Sequence, residues 1–149
     1  MTQAQTFEYP LRVHFGQIDA AGIVFYPRFF EMINETVEGW FREALGYPFP
    51  AMHREHRSGV PTVEARARFL KPVQLEQVVT WTLSVQTLGR SSAQLSVVGK
   101  VDGVDHLGAE ITLVHVKKAS DESIASAPWP PEVRERMRPF LIDPVSVSS

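Results

Sequence analysis

Asp19 is the residue whose type and setting first suggest chemistry. It lies in the turn Gly16-Gln17-Ile18-Asp19-Ala20-Ala21-Gly22, a few residues before Pro27. Pro27 suits the first turn of a helix, where its missing N–H costs nothing. A carboxylate delivered beside a helix N-terminus sits near free backbone N–H groups and the positive end of the helix dipole, which favour negative charge. Asp is also a common turn former, and on residue type alone that role leads. Glu31 and Glu35 are alternative bases from the helix, although their spacing reads first as a solvated stripe.

The other chemistry-bearing types are less organised. His53 and His56 lie three apart in a basic loop, with no carboxylate or third histidine at a recognisable spacing, which argues against a metal site. His115, between Val114 and Val116, reads as a packed or surface histidine in a strand. Ser91-Ser92 fits turn chemistry better than a nucleophile, and neither a Gly-x-Ser-x-Gly elbow nor a glycine-rich phosphate loop occurs. The chain has no cysteine, which excludes disulfides, thiol nucleophiles and thiolate metal sites.

The elements that would position Asp19 follow from periodicity. Phe7 to Phe15 alternates, with Phe7, Tyr9, Leu11, Val13 and Phe15 on one face of a half-buried strand. Pro10 cannot donate to a ladder and implies an edge or a bulge. From Pro27 to about Leu45, Phe30, Ile33, Val37, Trp40, Phe41 and Ala44 recur at helical spacing, widened by Phe29, Met32 and Thr36. Glu38 and Arg42 stand at a favourable i,i+4 spacing on the polar stripe. Residues 46–58 read as a loop. Val60 to Leu70, Leu75 to Leu88, Ala93 to Val101 and His106 to Val116 read as strands joined mainly by short, hairpin-like connections. The sequence Glu-Val-Arg-Glu-Arg-Met near the end suggests a short terminal helix. Residues 1–6 and 143–149 are expected to be loose.

With 149 residues, the chain reads as one domain, 1–149, able to bury roughly 70% of its unfolded surface. A formal net charge of −2 provides no basic field for nucleic acid. The start lacks a basic and apolar leader, and no apolar run approaches the ~20 residues of a membrane span. A cytoplasmic protein without a membrane partner is the expectation. A helix apolar on most sides needs cover, which a curved antiparallel sheet would supply, and the edges left over invite a second copy.

At this point Gly16 to Phe30, GQIDAAGIVFYPRFF, resembles the hotdog-fold thioesterases. It is most similar to the 4-hydroxybenzoyl-CoA thioesterase branch, whose opening reads Asp-x-Asp-x-Ala-Gly-Ile-Val-aromatic-Tyr-Pro. The resemblance implies an α+β hotdog fold, about five antiparallel strands curved around one long central helix. It implies hydrolysis of an acyl-CoA thioester, with an aromatic or short acyl group, without a cofactor, by a homo-oligomer that is a dimer or a dimer of dimers. Asp19 would attack the thioester carbonyl or activate a water, and the Tyr26 backbone N–H would bond the thioester oxygen. Gly22 would let the backbone approach the acyl group, and Phe25 and Phe29 would line its pocket; Trp40 fits the core better. Tyr26 stands where the short-acyl branch has histidine, which favours an aromatic acyl group. Two positions depart from the pattern. Gln17 replaces the first carboxylate, leaving no carboxylate pair, and Asn34 stands where a carboxylate would meet a para-hydroxyl. Arg90, at the tip Gly89-Arg90-Ser91, would meet the nucleotide end of CoA, with Arg66, Arg68 and Lys71 as further candidates. A carrier-protein thioesterase and a non-catalytic acyl-CoA binder of the same fold remain as alternatives.

Overall fold

The period-two runs become strands and the apolar run after Pro27 becomes a helix. The computed structural model describes residues 4–142; the tail 143–149 and residues 1–3, expected to be loose, lie outside them. In chain order the elements are β1 (Phe7–Arg12), α1 (Pro27–Glu43), α2 (Phe49–Glu55), β2 (Ser58–Gly59), β3 (Thr62–Phe69), β4 (Val78–Leu88), β5 (Ser92–Val101), β6 (Val104–Val114), β7 (Val116–Lys118), β8 (Ile124–Ser126) and α3 (Pro131–Met137). Five strands form an antiparallel sheet in the order β1-β4-β5-β6-β3. Pro10 therefore lies on an edge strand, opposite Thr80, where its missing donor is tolerated.

One face of this sheet is apolar because the strands alternate strictly. Val79, Trp81, Leu83 and Val85 of β4 are buried, as are Leu95 and Val97 of β5 and Leu107, Ile111 and Leu113 of β6. The buried stripe of α1 packs on that face, with Phe29, Met32, Ile33, Val37, Trp40 and Phe41 turned inward. The Phe29 and Trp81 ring centroids are 6.3 Å apart. Arg42 does not meet Glu38 as its spacing suggests. It donates to the Tyr9 hydroxyl at 3.2 Å and pairs with Glu43, because β1 passes beside that turn of the helix. Phe15 also leaves its expected face: it is 78% exposed, in a 3-10 turn at Phe15–Gln17 that ends the alternation.

Two features depart further from the sequence expectation. Residues 49–55 form α2 rather than loop, a helix of seven residues too short for its period to stand out. Its stability comes from burying Met52, a tertiary contact. A second sheet, β2-β7-β8, is made of strands of two or three residues. His115 lies where β6 gives way to β7, fully buried, stacked on Trp129 with centroids 5.2 Å apart. The Ala127 carbonyl, 3.0 Å from Nδ1, can only accept, so Nδ1 carries the proton. Nε2 then accepts from the Tyr47 hydroxyl at 3.4 Å, and that oxygen lies 2.7 Å from Ser58 Oγ. This cluster ties the segment after α1, β2 and the end of β6 together.

Gly99 shows how closely the sheet face is filled. It sits on β5 between Trp81 and Leu107. An added Cβ would lie 2.9 Å from Leu107 Cδ2, 3.0 Å from Trp81 Cζ3 and 3.1 Å from Val79 Cγ1. Gly99→Ala should therefore destabilise by about 1–3 kcal/mol through overpacking. A thermal melt of that variant should fall by roughly 2–12 °C for a domain of this size.

Burial also lowers the pKa of His115 below 6.5, outweighing the hydrogen bonds its ring donates to the Ala127 and Pro128 backbone, which favour its protonated form. The unfolded chain then binds more protons than the native one, so stability rises with pH. The contribution is complete above 6.5 and lost as pH falls from there toward the folded value. Chemical denaturation of the wild type between pH 8 and pH 5 should show this loss. His115→Gln, which cannot charge, should flatten it.

Candidate active site

Residues 16–26 are held at one end of the sheet by backbone hydrogen bonds. Asp19 N donates to Ile23 O at 2.9 Å and Phe25 N to Gln17 O at 3.0 Å, so the loop folds back on itself. Val24 N donates to Val73 O at 2.8 Å, which pins the loop beside the segment leading into β4. Gly22 takes φ +82°, a left-handed conformation that favours glycine, and closes the turn through its N–H to Asp19 O at 3.0 Å. Its backbone geometry accounts for this glycine, and an added Cβ would meet no heavy atom within 4 Å.

Asp19 is exposed and divides its carboxylate between two uses. Oδ1 accepts from Ala21 N at 2.8 Å and from Ile23 N at 3.4 Å, a short Asx turn. Oδ2 has no partner among the described residues. Gln17 spends its side chain locally, Oε1 accepting from His14 N at 3.0 Å, so this departure closes the 3-10 turn. Tyr26 is the N-cap of α1, and among the described residues its N–H meets no acceptor. Pro27 has no N–H, which leaves the Tyr26 amide as a free donor at the helix opening.

An aromatic cluster surrounds this opening. Phe69, at the end of β3, lies 6.2 Å from Tyr26, 5.7 Å from Phe29 and 6.4 Å from Phe30 between ring centroids. Phe25 is 5.6 Å from Tyr26. Phe25, Tyr26 and Phe69 each keep nearly half or more of their surface exposed, so the apolar wall is open on one side. Asn34 lies one turn beyond Phe30 on the same face of α1 and is exposed. Phe69 was visible in the sequence only as one step of an alternating strand, because its partners come from α1.

Arg90 does not join this group within one chain. It lies in the β4–β5 hairpin, while the Asp19 loop lies at the opposite end of β4. The eleven residues of β4 place about 33 Å between those ends. Arg66 pairs with Glu110 at 3.3 Å, on the sheet face turned away from α1, and Arg68 shares that face. Lys71 follows β3 at the Asp19 end. A groove of about 550 Å³ runs along the outer face, and one of about 880 Å³ lies between α2 and the small sheet. Neither is lined by Asp19 or Tyr26.

All of β3 is exposed or half-exposed, including Ala65, Ala67 and Phe69, which share the apolar face with Ile111, Ala109 and Leu107. β3 is also an edge strand. The Asp19 end of the sheet and an uncovered apolar edge thus adjoin each other.

An antiparallel sheet with a 17-residue helix on one face, and an acidic turn feeding that helix, defines the class to which the comparisons also point. Residues 13–137 match the thioesterase-like superfamily, and the chain belongs to that family. The chain is 32% identical over 89 residues to a 1,4-dihydroxy-2-naphthoyl-CoA hydrolase of Thermosynechococcus vestitus, a match covering 60% of each chain. A solved gentisyl-coenzyme A thioesterase is 30% identical with a TM-score of 0.77, over 86% of this chain and 99% of that one. The 4-hydroxybenzoyl CoA thioesterase of Pseudomonas sp. strain CBS-3 shares the fold at 20% identity, with a TM-score of 0.78 over 89% of this chain and 99% of its own. Among the described residues, no helix is long and apolar enough to cross a membrane.

Proposed function

We propose that this protein hydrolyses an aromatic acyl-CoA thioester, with Asp19 as the reacting carboxylate. The observation that carries this reading is the free Oδ2 of Asp19 in the same loop that delivers the unpaired Tyr26 N–H. The thioester carbonyl accepts from Tyr26 N–H, and developing negative charge falls at the N-terminus of α1. Asp19 either attacks the carbonyl carbon or takes a proton from the water that does. The C–S bond breaks, CoA leaves as its thiol, and one water is consumed per acid released. The ring of the acyl group lies against Phe25, Phe29 and Phe69, and the Asn34 amide is placed to bond a ring substituent. Two relatives named for hydroxylated aromatic acyl-CoA substrates support that choice. In this reading the sheet curves around α1 as the one long helix of a hotdog subunit.

Asp19→Asn is a discriminating variant because the amide oxygen can still accept from Ala21 N and keep the turn. Its kcat on benzoyl- or hydroxybenzoyl-CoA should fall at least ~100-fold, with an unchanged melting temperature. Turnover near wild type in a thiol-release assay would sink the assignment.

The working unit in this reading is a dimer joined along β3. A two-fold axis sets equivalent edges antiparallel, so the Arg90 end of one subunit adjoins the partner subunit's Asp19. The exposed apolar face of β3 and the distance from Asp19 to Arg90 support it. Arg90 then meets the phosphates of CoA bound at the other subunit's carboxylate. Asp19→Asn and Arg90→Ala subunits, each poorly active alone, should complement when refolded together, because mixed dimers contain one intact site. Random mixing should restore roughly a quarter of wild-type activity. Recovery absent from a mixture shown to contain mixed dimers would overturn the shared site.

A further inference from the structure

The 880 Å³ groove between α2 and the small sheet has the composition of a site for an anion carrying a flat apolar body. Its lining includes Arg54, Arg57 and Lys118, with His53 beside them, against one carboxylate, Glu122. Glu122 is shared, 3.3 Å from Arg57 and 3.3 Å from Lys118. Arg54 has no ion pair or hydrogen bond among the described residues. Three cations to one carboxylate is a local excess in a chain whose formal net charge is −2. The lining also contains the apolar residues Phe49, Val60 and Val116.

Two of the cations, Arg57 and Lys118, are held in place from several directions. Arg57 takes φ +48°, an uncommon conformation for a side-chain-bearing residue, and its guanidinium also donates to Ala119 O at 3.2 Å. The Arg57 carbonyl accepts from Lys118 N at 2.8 Å, so both cations ride on one backbone contact. Beside them Ser58 belongs to the buried Tyr47–His115 cluster.

Position adds to composition. The groove includes Val60 and Pro61, immediately before β3, at the same end of the sheet as the Arg90 hairpin. The His115 N–H donates to Ser91 O at 2.7 Å, which ties that hairpin to the β6–β7 junction. In a dimer joined along β3, the start of one β3 lies toward the end of the other, where the partner subunit's Asp19 stands.

We propose that this groove holds the adenosine 3′,5′-bisphosphate end of CoA, with Phe49 and Val60 against the base and Arg54, Arg57 and Lys118 on the phosphates. The proposal rests on the thioesterase reading for its ligand, and it adds a second cationic element distinct from Arg90. Charge-assisted bonds to phosphate suit such a slot because the ligand stays anionic at neutral pH.

Titration of the full-length protein with CoA, pantetheine and adenosine 3′,5′-bisphosphate tests it without requiring turnover. The wild type should bind the bisphosphate, and CoA more tightly than pantetheine. Arg54→Glu should narrow the CoA-to-pantetheine affinity ratio at least ~tenfold, the scale of a lost charge-assisted bond replaced by repulsion. Lys118→Gln, which keeps a polar side chain beside Glu122, should shift it in the same direction if the first variant fails to fold. An affinity ratio equal to wild type in a folded variant would overturn the groove, as would a wild type that ignores the bisphosphate. Binding of the bisphosphate equally to wild type and variant would place the anion elsewhere and also overturn it. Failure of the thioesterase reading would show separately, as absent thiol release from every aromatic acyl-CoA tried.

Discussion

The packing of α1 on the apolar face of the sheet is the constraint on which the rest depends. Phe29 against Trp81, with Trp40 and Phe41 buried further along, fixes where the helix begins. The loop of residues 16–26 must then reach that beginning from the end of β1, and Val24 to Val73 anchors it on the way. Asp19 and the Tyr26 amide are therefore positioned by a hydrophobic contact that neither of them makes. Each fully buried large apolar side chain contributes about 1.5–3 kcal/mol, which outweighs the few hydrogen bonds of the loop.

The loop itself shows how the residue proposed to react can also shape its own turn. Oδ1 of Asp19 shapes the turn while Oδ2 has no partner among the described residues, so the carboxylate is oriented by its own backbone rather than by a second side chain. That arrangement explains how the first carboxylate of the family pattern can be Gln17 here. Gln17 closes the preceding turn through His14 N and leaves Asp19 in place. Orientation of this kind needs no second charged side chain beside Asp19.

A single subunit leaves one surface uncovered and two sets of residues apart. The β3 edge carries an apolar face without cover, and the basic elements, Arg90 and the α2 groove, lie at the end of the sheet away from Asp19. Pairing of two β3 edges, as proposed, answers both with one symmetry operation. Unpaired edges are otherwise open to indiscriminate pairing, and β3 carries Arg66 and Arg68 on its outer face.

The sequence by itself determined the local elements and the acidic turn, because their causes are local. Period-two runs produced β3 to β6, and the apolar spacing after Pro27 produced α1. Asp19 with Gly22 produced the turn, since Asx bonding and positive φ are properties of those residues. The tertiary structure alone decided what depends on remote partners. α2 exists because Met52 is buried, and β2 and β8 are strands because each pairs with β7, which follows β6. Arg42 turned to Tyr9 rather than Glu38 because β1 runs past it. Phe69 joined Tyr26, Phe29 and Phe30 only when β3 and α1 came together, and the cations of the α2 groove, separated by more than sixty positions from Arg54 to Lys118, were gathered in the same way. Spacing along a chain reports contacts within a few residues, whereas a site built from several elements appears only once the hydrophobic core has brought them together.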